Sequence, residues 1–386
     1  MSNLKQAVKI VPKLRFPEFS DEWQTKKLED ITKINQGLQI PISDRLTREE
    51  PNSYFYITNE FIKQGSAKKY FIKNPNESVI ADKEDLLMTR TGNTGIVVTG
   101  IRGVFHNNFF KIKRDKDQVS KGFLYYFLTS EITQRLILRL AGNSTIPDLN
   151  HGDFYKILIN IPSIKEQEKI AGFLTAVVEK INILEQKLKL MQKYKKGLMQ
   201  QTFSQKLRFK DANGQNYPSW QTKKLGEISD ITTGKLDANE MSSKGKYRFY
   251  TCAKDYYMID EYAFDTEALL ISGNGANVGY IHYYKGKFNA YQRTYVLNNF
   301  TESIFYIKQF LDEFLSKRIF QEKFDGSMPY IVLSTLKDML IDLPTITEQN
   351  KIADYLMCID EKIESEERML EKAKKFKKAL LQQMFV

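Results

Sequence analysis

The residues best suited to chemistry in this 386-residue chain are short polar runs that occur twice in the same order. Arg90-Thr-Gly-Asn-Thr-Gly95 follows the apolar run Leu86–Thr89, and Ser272-Gly-Asn-Gly-Ala-Asn-Val-Gly279 follows Leu269–Ser272. A second pair comes shortly after each: His106-Asn-Asn108 and Asn289-Ala-Tyr-Gln-Arg293. Arginine can grip guanine through two hydrogen bonds, asparagine or glutamine can do the same for adenine, and glycine lets a backbone come close. The candidate base-contacting set is therefore Arg90, Thr91, Asn93, Thr94, His106, Asn107 and Asn108, with Ser272, Asn274, Asn277, Tyr291, Gln292 and Arg293 in the second copy. Tight turns alone would also account for these glycines and asparagines.

No constellation for bond making or breaking accompanies them. The chain lacks a Gly-Lys-Ser/Thr phosphate loop, an Asn/Asp-Pro-Pro-Tyr methylation tetrad and a serine nucleophile elbow. Gly273–Gly279 is superficially like a dinucleotide fingerprint. Its third glycine comes one residue late, however, and Tyr280–Tyr284 looks like a strand rather than a helix, so a glycine-rich hairpin loop is expected. The three histidines, His106, His151 and His282, have no metal-ligand spacing, and Cys252 and Cys358 are each isolated. No catalytic and no metal-binding residue is assigned.

Two copies of these loops require two copies of whatever positions them, and the repeat is legible by eye. Leu14-Arg15-Phe16 returns as Leu207-Arg208-Phe209, and Trp23–Leu28 returns residue for residue as Trp220–Leu225. Pro162–Ala171 matches Pro344–Ala353, and Tyr194–Phe203 matches Phe376–Phe385. The globular parts differ by insertions, whereas everything from Pro162 onward keeps register with its copy. Helices that share a seam cannot change length freely, while surface loops absorb insertions at small cost.

Those later segments read as long amphipathic helices. Ile170, Leu174, Val177, Ile181, Leu184 and Leu188 recur at alternating spacings of four and three, as do Ile352, Leu356, Ile359, Ile363 and, beyond Glu366, Leu370. Lys195 interrupts the first seam; Glu366 and Lys377 interrupt the second, marking loose pairing or a surface for a partner. Each helix opens with Ser163 or Thr345 and a glutamate three residues on, Glu166 or Glu348, the pattern of a capping box. About 35 residues give a rod of about 50 Å. Antiparallel pairing of the two seams within one chain is expected, with pairing between two chains as the alternative.

The globular segments alternate strand-like runs (Tyr54–Ile57, Ser78–Ile80, Leu86–Thr89, Ile96–Thr99, Asn108–Ile112) with turns, then a helix near Gly122–Ala141 and a last strand at Ile157–Ile161. The second copy runs through Tyr247–Thr251, Ala268–Ser272, Gly279–Tyr284, Arg293–Leu297, a helix at Ile304–Phe324 and Met339–Leu343. The fold class is α/β (α+β): two tandem domains of mixed sheet and helices, separated by two long helices packed as an antiparallel coiled coil. The expected boundaries are an N-terminal arm at 1–13, a domain at 14–162, a helix at 163–206, a domain at 207–344 and a helix at 345–386.

A net charge of +11 and a pI near 9.2 favour a polyanionic partner, nucleic acid ahead of a membrane surface. No apolar run long enough to span a bilayer and no signal-peptide core are present, and unpaired cysteines suit a reducing compartment, so the cytoplasm is the expected location.

On the motifs Leu14-Arg-Phe-Pro-Glu-Phe…Trp23, Tyr217-Pro-Ser-Trp220…Leu225, Ile161-Pro-Ser-Ile-Lys-Glu-Gln-Glu-Lys-Ile170 and Leu343-Pro-Thr-Ile-Thr-Glu-Gln-Asn-Lys-Ile352, the chain resembles a specificity subunit of a type I restriction–modification enzyme over essentially its whole length. That resemblance implies two target-recognition domains, each reading one half of a bipartite sequence in double-stranded DNA, and spacer helices that set the gap. It also implies docking of two methyltransferase (modification) subunits and, in the full complex, two restriction (translocase/nuclease) subunits. S-adenosylmethionine, ATP and Mg2+ would belong to those partners, and this chain would be non-catalytic by itself within a restriction endonuclease/DNA adenine methyltransferase complex. Two other readings stand beside it: a coiled-coil scaffold or nucleic-acid-binding module without a restriction–modification role, and an enzyme, against which the missing motifs argue.

Overall fold

The computed structural model describes residues 11–62, 69–142, 145–242, 244–322 and 329–385. Most of the expected N-terminal arm, and the last residues of the helix expected to reach Phe324, lie outside the described residues. The chain divides into two compact units, Met1–Glu185 with Met369–Val386, and Gln186–Arg368. This partition cuts through both long helices. Each unit takes in the final turns of the other copy's helix.

In the first unit, Gln24–Lys27 pairs antiparallel with Leu158–Ile161. A four-stranded sheet then runs in the order Thr32–Gln36, Phe109–Arg114, Leu86–Thr89, Val97–Thr99. A second runs Phe71–Lys73, Ser53–Ile57, Gly103–Phe105, Ile80–Ala81, with Ser53–Ile57 and Gly103–Phe105 parallel. Of the expected strand at Ser78–Ile80 only Ile80 is extended, in the pair Ile80–Ala81, because Asn76 caps a 3-10 turn at Glu77–Val79 by accepting the Ser78 N–H. The helix expected over Gly122–Ala141 is two, Lys121–Thr129 and Glu131–Leu140. Ser130, with ψ of 146°, ends the first and caps the second by accepting the Thr133 N–H at 3.3 Å.

The second unit repeats the two-stranded pair, Gln221–Lys224 with Leu340–Leu343, in the same register. Its remaining strands form one six-stranded sheet in the order Asp230–Thr233, Thr294–Asn298, Phe264–Ser272, Ile281–Ala290, Tyr247–Tyr250, Tyr257–Ile259. The long hairpin Phe264–Ser272/Ile281–Ala290 joins what the first unit splits. There, a turn at Asp82–Asp85 and the left-handed Gly100 (φ 78°) break the corresponding strands. Mostly antiparallel pairing with helices packed beside the sheets makes both domains α+β.

The long helices run Ile164–Phe203 and Ile346–Met384, 40 and 39 residues, or about 60 Å each. Ile170, Leu174, Ile181 and Leu184 are buried in the first unit, where Val177 and Leu370 are half-buried. Ile352, Leu356, Ile359 and Ile363 are buried in the second, where Leu188 is half-buried. In the second unit Lys187 pairs with Glu366, Lys195 with Asp360 at 2.6 Å, and the Tyr194 and Tyr355 hydroxyls meet at 3.1 Å. Lys187 meets Glu366, whereas Tyr194 and Lys195, two turns further on, meet the earlier Tyr355 and Asp360, so the two helices are antiparallel and pair within the chain. The polar seam residues Lys195 and Glu366 are thus matched by partners on the facing helix, not left loose.

The glutamates that open the helices do not close capping boxes. Ser163 Oγ accepts the Glu166 N–H and Thr345 Oγ1 the Glu348 N–H, each at 3.4 Å. The carboxylates turn the other way. Glu166 takes two hydrogen bonds from Arg15 (2.7 and 2.8 Å) and one from Trp23 Nε1 (3.3 Å); Glu348 takes two from Arg208 (3.2 and 2.7 Å). The neighbouring Gln167 and Gln349 are also fully buried, and each accepts the N–H of a helix-capping serine, Ser120 or Ser303, while donating to Pro162 O or Pro344 O. The repeated Leu-Arg-Phe, Trp and Glu-Gln motifs therefore form one joint in each unit, seating the domain on the start of its helix.

Candidate nucleic-acid interface

Each candidate loop sits at the end of a buried strand, and neighbouring segments tie the loops into a cluster. Five backbone hydrogen bonds recur one for one. Gly37 N–H donates to Phe109 O (3.3 Å) as Gly234 does to Thr294 O (3.2 Å), and Arg90 N–H to Asn108 O (2.7 Å) as Gly273 does to Arg293 O (2.9 Å). His106 N–H donates to Ile57 O as Tyr291 does to Tyr250 O, both at 2.9 Å. Phe109 N–H donates to His106 O (2.9 Å) as Thr294 does to Tyr291 O (2.8 Å), and Leu149 N–H to Arg90 O as Ile331 does to Gly273 O, both at 2.8 Å. His106, Asn107 and Asn108 thus occupy the places of Tyr291, Gln292 and Arg293.

Glycines permit the closest approaches. A Cβ on Gly37 would lie 2.3 Å from His106 O, and one on Gly234 only 1.8 Å from Ala290 O. Gly92 and Gly275 hold φ near +80° in the two hairpin loops (82° and 79°), where any side chain would be strained. The Ser272–Gly279 loop closes through Gly279 N–H to Ser272 O (2.8 Å) between two antiparallel strands, so the expected hairpin is present and no helix follows.

The structure divides the candidate residues by what their side chains already do. Arg90 is committed to a two-fold pair with Asp148 (3.0 and 2.7 Å), which occupies the fork expected to read guanine. Thr94 is buried and donates to Pro147 O (2.6 Å), and Thr91 forms a β-bridge with Asp148. His106 uses Nδ1 to accept the Asn108 N–H (3.0 Å), and burial followed by the Arg45 charge lowers its pKa, keeping the ring neutral. Asn107 donates to Gln39 Oε1 at 2.9 Å. Asn277 donates to Cys252 O (3.0 Å), Asn274 Oδ1 faces Cys252 Sγ (3.1 Å), and Ser272 is buried. Asn93, Gln292 and Arg293 are exposed, Tyr291 and Asn108 half-exposed, and the exposed Lys235 and Lys254 follow on adjoining loops.

In the second unit these loops line a cleft of about 230 Å3 whose walls include Asn274, Gln292, Arg293, Tyr295 and Tyr330. Tyr330, 53% exposed, and its counterpart Asp148 come from the segments after the domain helices, which sequence reasoning did not single out. Their signal was present: Leu149 and Ile331 stand in the same register as the long helices. Gly37 and Gly234 were missed as well, although they keep the register of the two tryptophans. No group of three or more His, Cys, Asp or Glu side chains suited to a metal occurs among the described residues. No described helix is long and apolar enough to cross a membrane.

The model of the type I restriction modification DNA specificity domain matches residues 20–192 and again 218–375. The chain is 40% identical over 169 residues to the type I restriction enzyme EcoDI specificity subunit of Escherichia coli, a match spanning 42% of this chain and 37% of that protein. It is 25% identical over 404 residues to the MjaVIII specificity subunit of Methanocaldococcus jannaschii, covering 94% and 92% of the two chains. In fold it is similar to the type I restriction–modification S subunit from M. genitalium, with a TM-score of 0.69 at 19% identity over 98% and 99% of the two chains. With both halves of the repeat matched, the chain belongs to the family of type I restriction–modification DNA specificity domains and carries that domain twice.

Proposed function

We propose that each unit reads one half of a bipartite, asymmetric target in double-stranded DNA, and that the paired helices set the spacer between the halves and dock two methyltransferase subunits. The observation that carries this reading is the duplicated loop cluster: the same backbone bonds gather different side chains in each unit. A common frame with different reading residues suits two different half-sites, and equal residues would read a palindrome. Lysines and arginines on the surface position each domain through phosphates, and side chains at the cleft read base edges. Two restriction subunits complete the assembly in the cytoplasm. S-adenosylmethionine, ATP and Mg2+ belong to those partners, so this chain makes and breaks no bond.

Exchanging residues 14–162 for the corresponding segment of another specificity subunit, in a host carrying the complete system, tests the division of labour. One half of the methylated sequence should change and the other stay. A change in both halves, or in neither, would overturn it. Binding measured against salt separates this reading from a scaffold, since phosphate contacts make affinity fall steeply with ionic strength; flat dependence favours the scaffold.

A further inference from the structure

The hairpin loops are buttressed from the strand that exits beside them. The second residue after Ser53–Ile57 is Asn59, whose Nδ2 donates to Thr91 O at 3.2 Å. The second residue after Tyr247–Tyr250 is Cys252, whose Sγ lies 3.1 Å from Asn274 Oδ1. Thr91 and Asn274 are themselves equivalent, each following the residue whose carbonyl accepts from Leu149 or Ile331. The same place in both units therefore holds the same loop residue, once through its backbone and once through its side chain. Around Cys252 the tie is reinforced. Asn277 Nδ2 donates to Cys252 O (3.0 Å) and His282 Nε2 donates to Ala253 O (3.0 Å), while Arg293 O is a second acceptor for the single S–H at 3.4 Å, longer than the contact to Asn274 Oδ1.

The chemistry of the pair sets a direction. A thiol carries one hydrogen and its sulfur is a weak acceptor, whereas a carboxamide has one accepting oxygen and an NH2 with two donors. Resting on the reading of the cleft as DNA-facing, we infer that Cys252 is a positioning residue for base recognition: its S–H holds Asn274 Oδ1 inward, so that the Asn274 amide presents NH2 donors to the base edge. Asn274 then reads an acceptor in the major groove, purine N7, guanine O6 or thymine O4, and not the donor–acceptor pair of adenine. Gln292, Arg293 and Tyr330 share the cleft and supply the remaining contacts.

The complete complex carrying Cys252→Ser, Cys252→Ala or Asn274→Asp tests this, by sequencing methylated sites and by binding to duplexes altered one base pair at a time. Cys252→Ser keeps a donor and should keep the target. Cys252→Ala should relax discrimination at one base pair of one half-site by about tenfold, leaving the other half unchanged. Asn274→Asp, which can only accept, should lose preference at that same base pair. Unchanged discrimination in Cys252→Ala, or preference retained in Asn274→Asp, overturns the inference. So does a uniform weakening at every base pair with a lowered melting temperature, which a merely structural role would give. A wild-type complex that shows no split target instead removes the underlying reading of the cleft.

Discussion

Replacing Arg208 by alanine strands a carboxylate. Glu348 is 0% exposed, and among the described residues both of its side-chain hydrogen bonds come from the Arg208 guanidinium, at 3.2 and 2.7 Å. Removing one partner of a buried ion pair costs about 3–5 kcal/mol, because the remaining charge has neither water nor a counter-ion. Arg15→Ala performs the same surgery in the first unit, where Glu166 is 1% exposed. There, however, Trp23 Nε1 still donates to Glu166 at 3.3 Å, whereas Trp220 Nε1 is buried with no partner among the described residues. A hydrogen bond to a charged group is worth about 1.5–3 kcal/mol, so Arg15→Ala should cost only about 2 kcal/mol. The two tryptophans are the chain's only ones and lie one in each joint, so fluorescence reports each unit separately. Urea unfolding of Arg208→Ala is followed in a Trp23→Phe background and Arg15→Ala in a Trp220→Phe background, which leaves the Trp23–Glu166 bond intact where it matters. Adding Glu348→Leu to Arg208→Ala should recover most of the loss. Equal costs for the two arginine variants, or a cost below about 1 kcal/mol for Arg208→Ala, would refute the account of the joint.

Gly234→Ala should destabilise the second unit by about 1–3 kcal/mol and abolish reading of one half-site, since the added Cβ meets Ala290 O at 1.8 Å; circular dichroism melts and methylated-site sequencing check both effects. His106, His151 and His282 all have pKa values lowered first by burial, from the ordinary 6.5. The unfolded chain then binds protons more readily than the folded one, so stability is whole above pH 6.5 and falls as pH drops through that value toward the folded pKa values; denaturation midpoints at pH 7.5 and 5.5 should show it, and His282→Gln should shrink the difference. At the seam, Lys187→Ala should destabilise by leaving Glu366 buried without its cation, while Lys187→Met with Glu366→Leu should recover that loss in thermal melts.

The loops of the candidate site could be read from the chain, and their contacts show where reading fails. The hairpin loops and the loops at 106–108 and 291–293 were visible because glycine and asparagine after an apolar run mark a turn locally. What each side chain does there was not visible. Arg90 faces Asp148, which stands 58 residues away, and nothing near Arg90 announces that partner. Asn59 and Cys252 share a role but no side-chain type, so the repeat cannot display them. The capping-box expectation failed for a similar reason: a glutamate three residues after Ser163 or Thr345 fits the local pattern, yet an arginine 151 or 140 residues distant claims its carboxylate.

The sequence by itself determined the duplication, the two long helices with their seams and the paired polar loops after apolar strands, because all of these rest on spacing within a few turns or on direct comparison of the halves; it left out short strands such as Thr32–Gln36, Phe71–Lys73 and Tyr257–Ile259. Tertiary structure alone decided that the unit boundaries fall inside the helices, with Phe385 packed on Phe123 and Phe203 on Tyr306. It also decided that Lys195 and Glu366 are paired across the seam, and that the Arg, Trp and Glu-Gln motifs meet in one joint. The physical reason is range: propensity and periodicity act over neighbouring residues, whereas a buried charge must find its partner in space wherever the chain has carried it.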